Sequence, residues 1–290
     1  MNAIIMDGHC FANTIYKKIH EKMLFIIKNN KQLPGLGVIL VGNHDISKLY
    51  ISKKLKICQK LGFIVYNYYF PNNIYEHTII DTINILNHDN KIHGILIQLP
   101  LPKHLNITNV LEAIHPNKDI DGFHPYNIGR LCQRMPLLRS CTAIGIISLL
   151  KHYHIYIRGL HAVIIGASNI IGRPVALELL LLGCTVTITH RFTKNLQYHI
   201  ANADLLIVAI GKPCFIKGKW IKHGAIIIDV GINRLQNNKI VGDVDFASTM
   251  SRASYITPVP GGIGPVTISM LMQNTFIAYE KIMINHKNNF

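Results

Sequence analysis

The sequence predicts an α/β fold, with parallel sheets flanked by helices and the chain divided into two domains. Three observations predict it. Short apolar runs of strand length alternate along the chain with segments of helical period. One stretch, HAVIIGASNIIGRPVALELLLLGCTVTITHR from His161 to Arg191, reads strand, glycine turn, helix, strand. The chain has 290 residues, 49% of them hydrophobic, enough for two ordinary domains with sizeable cores.

The elements follow in order. Residues 11–28 have helical spacing, and GLGVILV at 35–41 reads as a strand. Ser47 can N-cap a helix that runs to Gly62. Residues 63–70 read as a strand, 74–87 as a helix and 94–99 (GILIQL) as a strand. A short helix over 108–114 precedes the polar loop HPNKDIDGFHPYN, and a helix covers 142–152. The domain boundary is expected between Gly122 and Ser140. In the central stretch, Ala162 to Ile165 suits a buried parallel strand, and helical spacing begins at Ile170. Pro174 falls in the first turns of that helix, where its missing N–H does little harm, and Gly183 sits where a C-cap belongs. Strands follow at 185–189, 205–210 and 225–230, then the turn-rich TPVPGGIGP and a long terminal helix.

Composition excludes several classes. No run of eighteen apolar residues lacks charges, so no membrane span is expected. The first residues have an early Asp7 and no basic start before a long apolar stretch, so no secretory signal is expected. Six cysteines without a C-x-x-C pair read as reduced thiols of a cytoplasmic protein. Sixteen histidines show no metal-ligand spacing, so no metal is expected. The net charge of +15 is dispersed rather than grouped in a stripe, which argues for a solvated surface and against nucleic acid.

The central stretch is a Rossmann-type βαβ unit, whose helix start presents N–H groups to a pyrophosphate. Its glycines, Gly166 and Gly172, frame a G-x-S-x-x-x-G pattern one residue longer than the usual G-x-G-x-x-G. Its second strand ends in His190-Arg191, with no carboxylate to hold a ribose 2′-OH. An arginine there suits a 2′-phosphate, which favours NADP; alternatively Arg191 is a solvated loop cation.

In SKLYISKKLKICQKLG, Tyr50, Lys54, Cys58 and Leu61 share one helical face, while Lys53, Lys56 and Lys60 fall largely elsewhere. A lysine held near apolar groups has its pKa lowered and can move protons near neutral pH. Periodicity alone favours a snorkelling surface lysine. Gln98 ends a strand, where functional groups of parallel sheets collect. It could orient a substrate or bond a lysine, or simply cap the strand. Asp121 lies in K-D-I-D-G; it is a turn residue, or a carboxylate that accepts an N–C–N edge bidentately. TPVPGGIGPVT is a stiff loop whose glycines permit close backbone approach to a ligand, or a tight connection into the last helix.

Together these motifs resemble the bifunctional methylenetetrahydrofolate dehydrogenase/cyclohydrolase family, the FolD type. They are ISKLYISKKLKIC, GILIQLPLP, NKDIDGFHPYNIGRL, GASNIIGRP, THRFTKNL, DVGINR, GDVDF and TPVPGGIGPVTISMLMQNT, spread over nearly the whole chain in the family's order. The resemblance implies NADP-dependent oxidation of 5,10-methylenetetrahydrofolate, then hydrolysis of the methenyl product to 10-formyltetrahydrofolate. It implies an N-terminal αβ catalytic domain (1–138 with 266–290) and a Rossmann-type NADP-binding domain (139–265), the C-terminal helix returning to the first. Lys54 would transfer protons, Gln98 would orient it, Tyr50 would line the folate site and Asp121 would bind the pterin edge. Pro260, Gly261 and Gly262 would shape the floor of that site. Gly166, Ala167, Ser168, Arg191 and Ile232 would contact NADP. A homodimer without membrane or nucleic-acid partners is implied.

Two departures from the family stand out. Its frequent Pro-Cys-Thr-Pro-x-Gly is here Ser140-Cys141-Thr142-Ala143-Ile144-Gly145, which predicts a less rigid hinge. Many members carry Arg at the position of Ala167 and Ser at that of Arg191, so the arginine here is on the other side. Two competing functions are an NADP-dependent dehydrogenase of shikimate-dehydrogenase type and, further off, a basic nucleic-acid-binding protein.

Overall fold

The computed structural model describes the backbone of residues 2–42 and 45–288 and the side chains of 2–42 and 51–284. In chain order the first elements are β1 (Ile4–Ile5), α1 (Gly8–Lys28), β2 (Gly35–Val41), α2 (Asp45–Leu61), β3 (Ile64–Phe70), α3 (Glu76–His88), β4 (Gly94–Ile97), α4 (Ile107–Glu112), α5 (Pro125–Cys132) and α6 (Cys141–His152). Then come β5 (His161–Ile165), α7 (Gly172–Leu181), β6 (Thr185–Thr189), α8 (Leu196–Ala201), β7 (Leu205–Val208), β8 (Ile226–Asp229), β9 (Asn233–Arg234), β10 (Ile240–Val241), α9 (Phe246–Thr249), β11 (Tyr255–Ile256) and α10 (Ile263–Asn288). Among the described residues no helix is long and apolar enough to cross a membrane.

The chain forms two compact units: Met1–Thr14 with Thr142–Met270, and Ile15–Cys141 with Leu271–Phe290. The C-terminal part of α10 thus joins the N-terminal αβ unit, as expected of the fold. The first fourteen residues group with the nucleotide-binding unit instead. Sequence reasoning had no signal for this, because β1 is two residues long and joins the sheet only by pairing with β11, some 250 positions away.

In the N-terminal unit three parallel strands lie in the order β3-β2-β4. β2 is buried along its whole length, as a central strand packed on both faces must be. β3 alternates exposed and partly buried residues, as an edge strand does. α3 and α4 supply Ile79, Ile83, Leu86 and Val110, which pack with Ile39, Val41, Ile95 and Ile97 of the sheet into one apolar core. α2 begins at Asp45, so Ser47 lies inside the helix rather than at its cap. α5 occupies the end of the expected polar loop. His124 Nδ1 accepts the N–H of Tyr126 and Pro125 takes the first helical position, start signals that its few apolar residues hid.

In the other unit six parallel strands run β1-β11-β8-β7-β5-β6. β5 comes first in sequence of the central strands; β6 is added on one side, β7 and β8 on the other. The order therefore reverses between β5 and β7, the place where doubly wound sheets bind ligands outside their carboxyl ends. α7 starts at Gly172, two residues later than the spacing predicted, because Ala167 to Ile171 form the turn that leads into it. It ends as predicted, with Gly183 at φ +85° just past the cap residue.

Candidate active site

In the N-terminal unit the site begins with α2. Lys54 is 7% exposed, with Cys58, Leu61 and Ile51 buried on the same side, while Lys53, Lys56 and Lys60 face water. The helical face predicted for Lys54 is therefore the buried one. The side chain of Tyr50 lies outside the described residues; its backbone is on α2 one turn before Lys54.

Gln98 follows β4 directly and is 8% exposed. Its Nε2 donates to Leu99 O at 2.6 Å, which turns Oε1 toward Lys54, and Lys54 Nζ donates to it at 3.4 Å. Asp121 arrives by a bridge and a turn. Ile95 of β4 bridges Asp119 in parallel, with Ile95 N donating to Lys118 O at 2.8 Å. The chain turns directly after Asp119, with Gly122 N donating to Asp119 O at 3.1 Å, and the turn leaves the Asp121 carboxylate within electrostatic reach of Lys54. Burial pushes the Asp121 carboxyl up to about 6, against the opposing pull of the Lys54 cation; Asp119 adds to the rise. An ammonium is thus flanked by an amide oxygen and a carboxylate. Such a group can hold a heterocycle's N–C–N edge and move a proton.

The rest of K-D-I-D-G explains why Asp121 stands where it does. Lys118 is buried and donates to Leu86 O and Asp89 O, both at 2.9 Å, closing the end of α3. Asp119 accepts from Phe123 N, His124 N and Asn127 Nδ2. Gly122 has φ +72°, and a Cβ there would sit 2.3 Å from the Arg139 carbonyl carbon. Turn chemistry is therefore the work of Asp119 and Gly122, and Asp121 is spared for other contacts.

In the nucleotide-binding unit Gly166 follows β5 at φ +115°; a Cβ there would lie 2.2 Å from Ala209 O. A Cβ on Gly172 would lie 1.9 Å from Gly166 O. Both glycines are needed for the chain to turn this tightly. Ser168 Oγ accepts from Ile171 N at 3.2 Å and Gly172 N at 3.4 Å, so it caps α7 from inside the turn. Ala167 is half-buried beside it. Arg191 is exposed just past β6, its guanidinium 4.6 Å from the Phe192 ring centre. Arg173 folds back so that its Nε donates to Ala167 O at 3.2 Å. Ile232 is 56% exposed in the loop after β8. A glycine turn at the switch point, flanked by two arginines and with no carboxylate at the end of β6, fits NADP.

Pro260, Gly261 and Gly262 belong to this same unit. Gly261 has φ +105°, its carbonyl accepts from Gly8 N at 2.8 Å, and a Cβ on Gly8 would lie 1.8 Å from Gly262 O. The loop packs backbone to backbone against the start of α1, where Asp7 Oδ1 caps His9 N and Cys10 N.

Two carboxylates that sequence reasoning did not single out organise the strand ends of this unit. Asp229 accepts from Gly231 N, Asp243 N and Val244 N, and burial raises its carboxyl to about 6. Asp243 accepts from Ile210 N, Gly211 N and Asn233 Nδ2. Both stand in motifs of the family resemblance, DVGINR and GDVDF, and each has a glycine close by that the packing requires: a Cβ on Gly231 would sit 2.2 Å from Asp243 Cγ, and one on Gly242 1.9 Å from Asp229 Oδ2.

Comparison with known proteins bears on both units. The family model for the tetrahydrofolate dehydrogenase/cyclohydrolase catalytic domain matches residues 6–121, and that for the NAD(P)-binding domain of the same family matches 140–283. The solved structure of the bifunctional methylenetetrahydrofolate dehydrogenase/cyclohydrolase FolD of Campylobacter jejuni is 44% identical, with TM-score 0.94 over 96% of this chain and 99% of its own. That of the Trypanosoma brucei enzyme, complexed with NADP cofactor and inhibitor, is 34% identical, with TM-score 0.92 over 97% and 98%. Shikimate dehydrogenase of Aquifex aeolicus reaches only 13% identity and TM-score 0.53 over 87% and 98%, a likeness of fold alone.

Proposed function

The chain belongs to the tetrahydrofolate dehydrogenase/cyclohydrolase family, and from that premise we propose how its residues divide the labour of the two reactions. It is a bifunctional enzyme: it oxidises 5,10-methylenetetrahydrofolate to the 5,10-methenyl cation with NADP and hydrolyses that cation to 10-formyltetrahydrofolate. NADP, when bound, supplies the hydride acceptor.

The observation that carries the residue assignment is the Lys54–Gln98 hydrogen bond, with the Asp121 carboxylate within electrostatic reach of the same lysine. In the hydrolytic half the water oxygen joins the methenyl carbon and one of its protons leaves to solvent. The Lys54 ammonium gives a proton to N5 as the C–N5 bond breaks, and the amine so formed takes the remaining hydroxyl proton as the formyl carbonyl forms on N10. Gln98 keeps Nζ pointed at this position. Asp121 accepts the pterin amide and amino edge, and Tyr50 stacks on the folate. Lys54→Met preserves chain length and packing, so the fold and folate binding should survive while hydrolysis of methenyltetrahydrofolate falls by about 100-fold or more. Hydrolysis at the wild-type rate would remove Lys54 from the mechanism.

For the cofactor, Gly166, Ala167 and Ser168 supply the turn, Ile232 an apolar contact and Arg191 the 2′-phosphate contact. Arg173, held at the Ala167 carbonyl, is the competing cation. Arg191→Ala should lower kcat/KM for NADP by about tenfold and leave that for NAD nearly unchanged. If Arg173→Ala does so instead, the preference belongs to Arg173.

Pro260, Gly261 and Gly262 are proposed as substrate contacts, and the domains as 1–138 with 266–290 and 139–265. A homodimer is also proposed; β3 is an edge strand with Tyr69 63% exposed, which offers a pairing edge. Light scattering should give twice the 32.7 kDa chain mass, and a monomer at working concentration would reject it. Six free cysteines support a cytoplasmic location, which cell fractionation tests.

A further inference from the structure

Asp243 is fully buried and stands at the crossing of two strand-end loops. Its Oδ2 accepts Ile210 N at 2.7 Å and Gly211 N at 2.9 Å, in the loop after β7. Its Oδ1 accepts Asn233 Nδ2 at 2.8 Å, in the loop after β8. The first loop is the one whose Ala209 carbonyl lies against Gly166, so it forms one wall of the crevice at the switch point between β5 and β7. The second loop carries Ile232 between two tethered neighbours: Gly231 N is held by Asp229 and the Asn233 side chain by Asp243. An isoleucine that is 56% exposed is thereby kept at a fixed place instead of collapsing onto the sheet.

This arrangement has a cost in sequence that only position can justify. Gly231 has no room for a side chain because the Asp243 carboxylate occupies it. Asp243 N in turn donates to Asp229 Oδ1 at 3.0 Å, so the backbone that carries Asp243 is itself fixed. An apolar residue could fill the same volume but would leave the Ile210 and Gly211 N–H groups unmatched and both loops free to shift.

We propose that Asp243 is a positioning residue for the dinucleotide: by tying the loops after β7 and β8 to one carboxylate, it sets the crevice wall and the place of Ile232. The inference rests on the assignment of NADP to this unit. It predicts a split between the two activities. Loop displacement weakens NADP binding, whereas hydrolysis of the methenyl cation needs no NADP and uses Lys54, Gln98 and Asp121 of the other unit.

The test uses the full-length enzyme with Asp243→Ser, Asp243→Asn and Asn233→Ala. NADP affinity is measured by titration calorimetry, and cyclohydrolase kcat and KM are measured without NADP. Asp243→Ser should raise the NADP Kd by about tenfold or more, with cyclohydrolase constants unchanged. Asp243→Asn can still accept two N–H groups with Oδ1 while its amide faces a flipped Asn233, so it should recover most of the affinity. If Asp243→Ser does not fold, Asn233→Ala decides, because it deletes only the bond to Asp243 Oδ1 and a long one of 3.5 Å to Val241 O, and buries no new group. A severalfold rise in its NADP Kd with intact cyclohydrolase supports the proposal. An unchanged NADP Kd in the folded variants overturns it, and so does parallel loss of both activities, which marks a purely structural role. A wild-type enzyme that fails to bind NADP overturns the cofactor assignment itself and this inference with it.

Discussion

Asp121 and Asp119 are two residues apart in one motif and have opposite fates. Asp119 spends its carboxylate on two backbone N–H groups and Asn127. Burial raises the Asp121 carboxyl to about 6. The proposed role makes the consequence for pH direct. Above about 6 the carboxylate is charged and would accept the pterin edge; below it the proton would fill the position the pterin needs. The folate KM should therefore rise as pH falls from 7 to 5. Asp121→Asn should have a raised folate KM that is flat over this window. A wild-type folate KM that is flat between pH 5 and 7 would return Asp121 to the turn. The linkage to stability has the opposite sense. Between about 3.8 and 6 the native carboxyl holds a proton that the unfolded chain has lost, so this group's contribution falls as pH rises through that range.

Among the elements, α10 does the most to hold the motif that carries Asp121. Asn274 is 5% exposed and its Nδ2 donates to Ile120 O and Arg139 O, both at 2.8 Å. Cys141 N donates to Asp121 O at 3.2 Å, and Cys141 Sγ to Ile120 O at 3.1 Å. These bonds hold residues 139–141, which include Ser140, one of the two positions where the family's prolines are missing; Ala143, the other, lies in α6. Asn274→Leu removes the amide donor from Ile120 O, which keeps only the weak Cys141 thiol, and from Arg139 O; it should lower unfolding stability by about 1–3 kcal/mol, with a raised folate KM because Asp121 follows Ile120. Denaturant melts that match wild type would show that the clamp contributes nothing. Asn274 stands near the end of the motif TPVPGGIGPVTISMLMQNT, but helical period and propensity give it no role until its distant partners are known.

At the scale of the molecule, a net charge of +15 meets two anionic ligands, a folate and a dinucleotide. Their capture should be faster at low salt: kcat/KM for both should fall as ionic strength rises from about 0.01 to 0.15 M, where the Debye length shrinks from about 30 to 8 Å, while kcat holds. Salt-independent kcat/KM would show the charge to be a solvated coat only. The sequence by itself determined what is local. The strands β2, β5 and β6 are apolar or β-branched runs of the right length. The glycine turn at Gly166 and the cap at Gly183 are demanded by backbone sterics; helical period sets Lys54 on the face of Cys58 and Leu61 but by itself favours a snorkelling side chain, and its burial was decided by the fold. Tertiary structure decided what depends on partners far apart in the chain. β1 is a strand only because β11 is beside it, and Asp121 comes near Lys54 only because the fold brings α2 and the turn after Asp119 together. Asp229, Asp243 and Asn274 acquire roles only when the N–H or carbonyl groups they satisfy are brought to them. The reason is physical: propensity and period act over a few residues, whereas a buried polar group is specified by whatever the fold leaves opposite it.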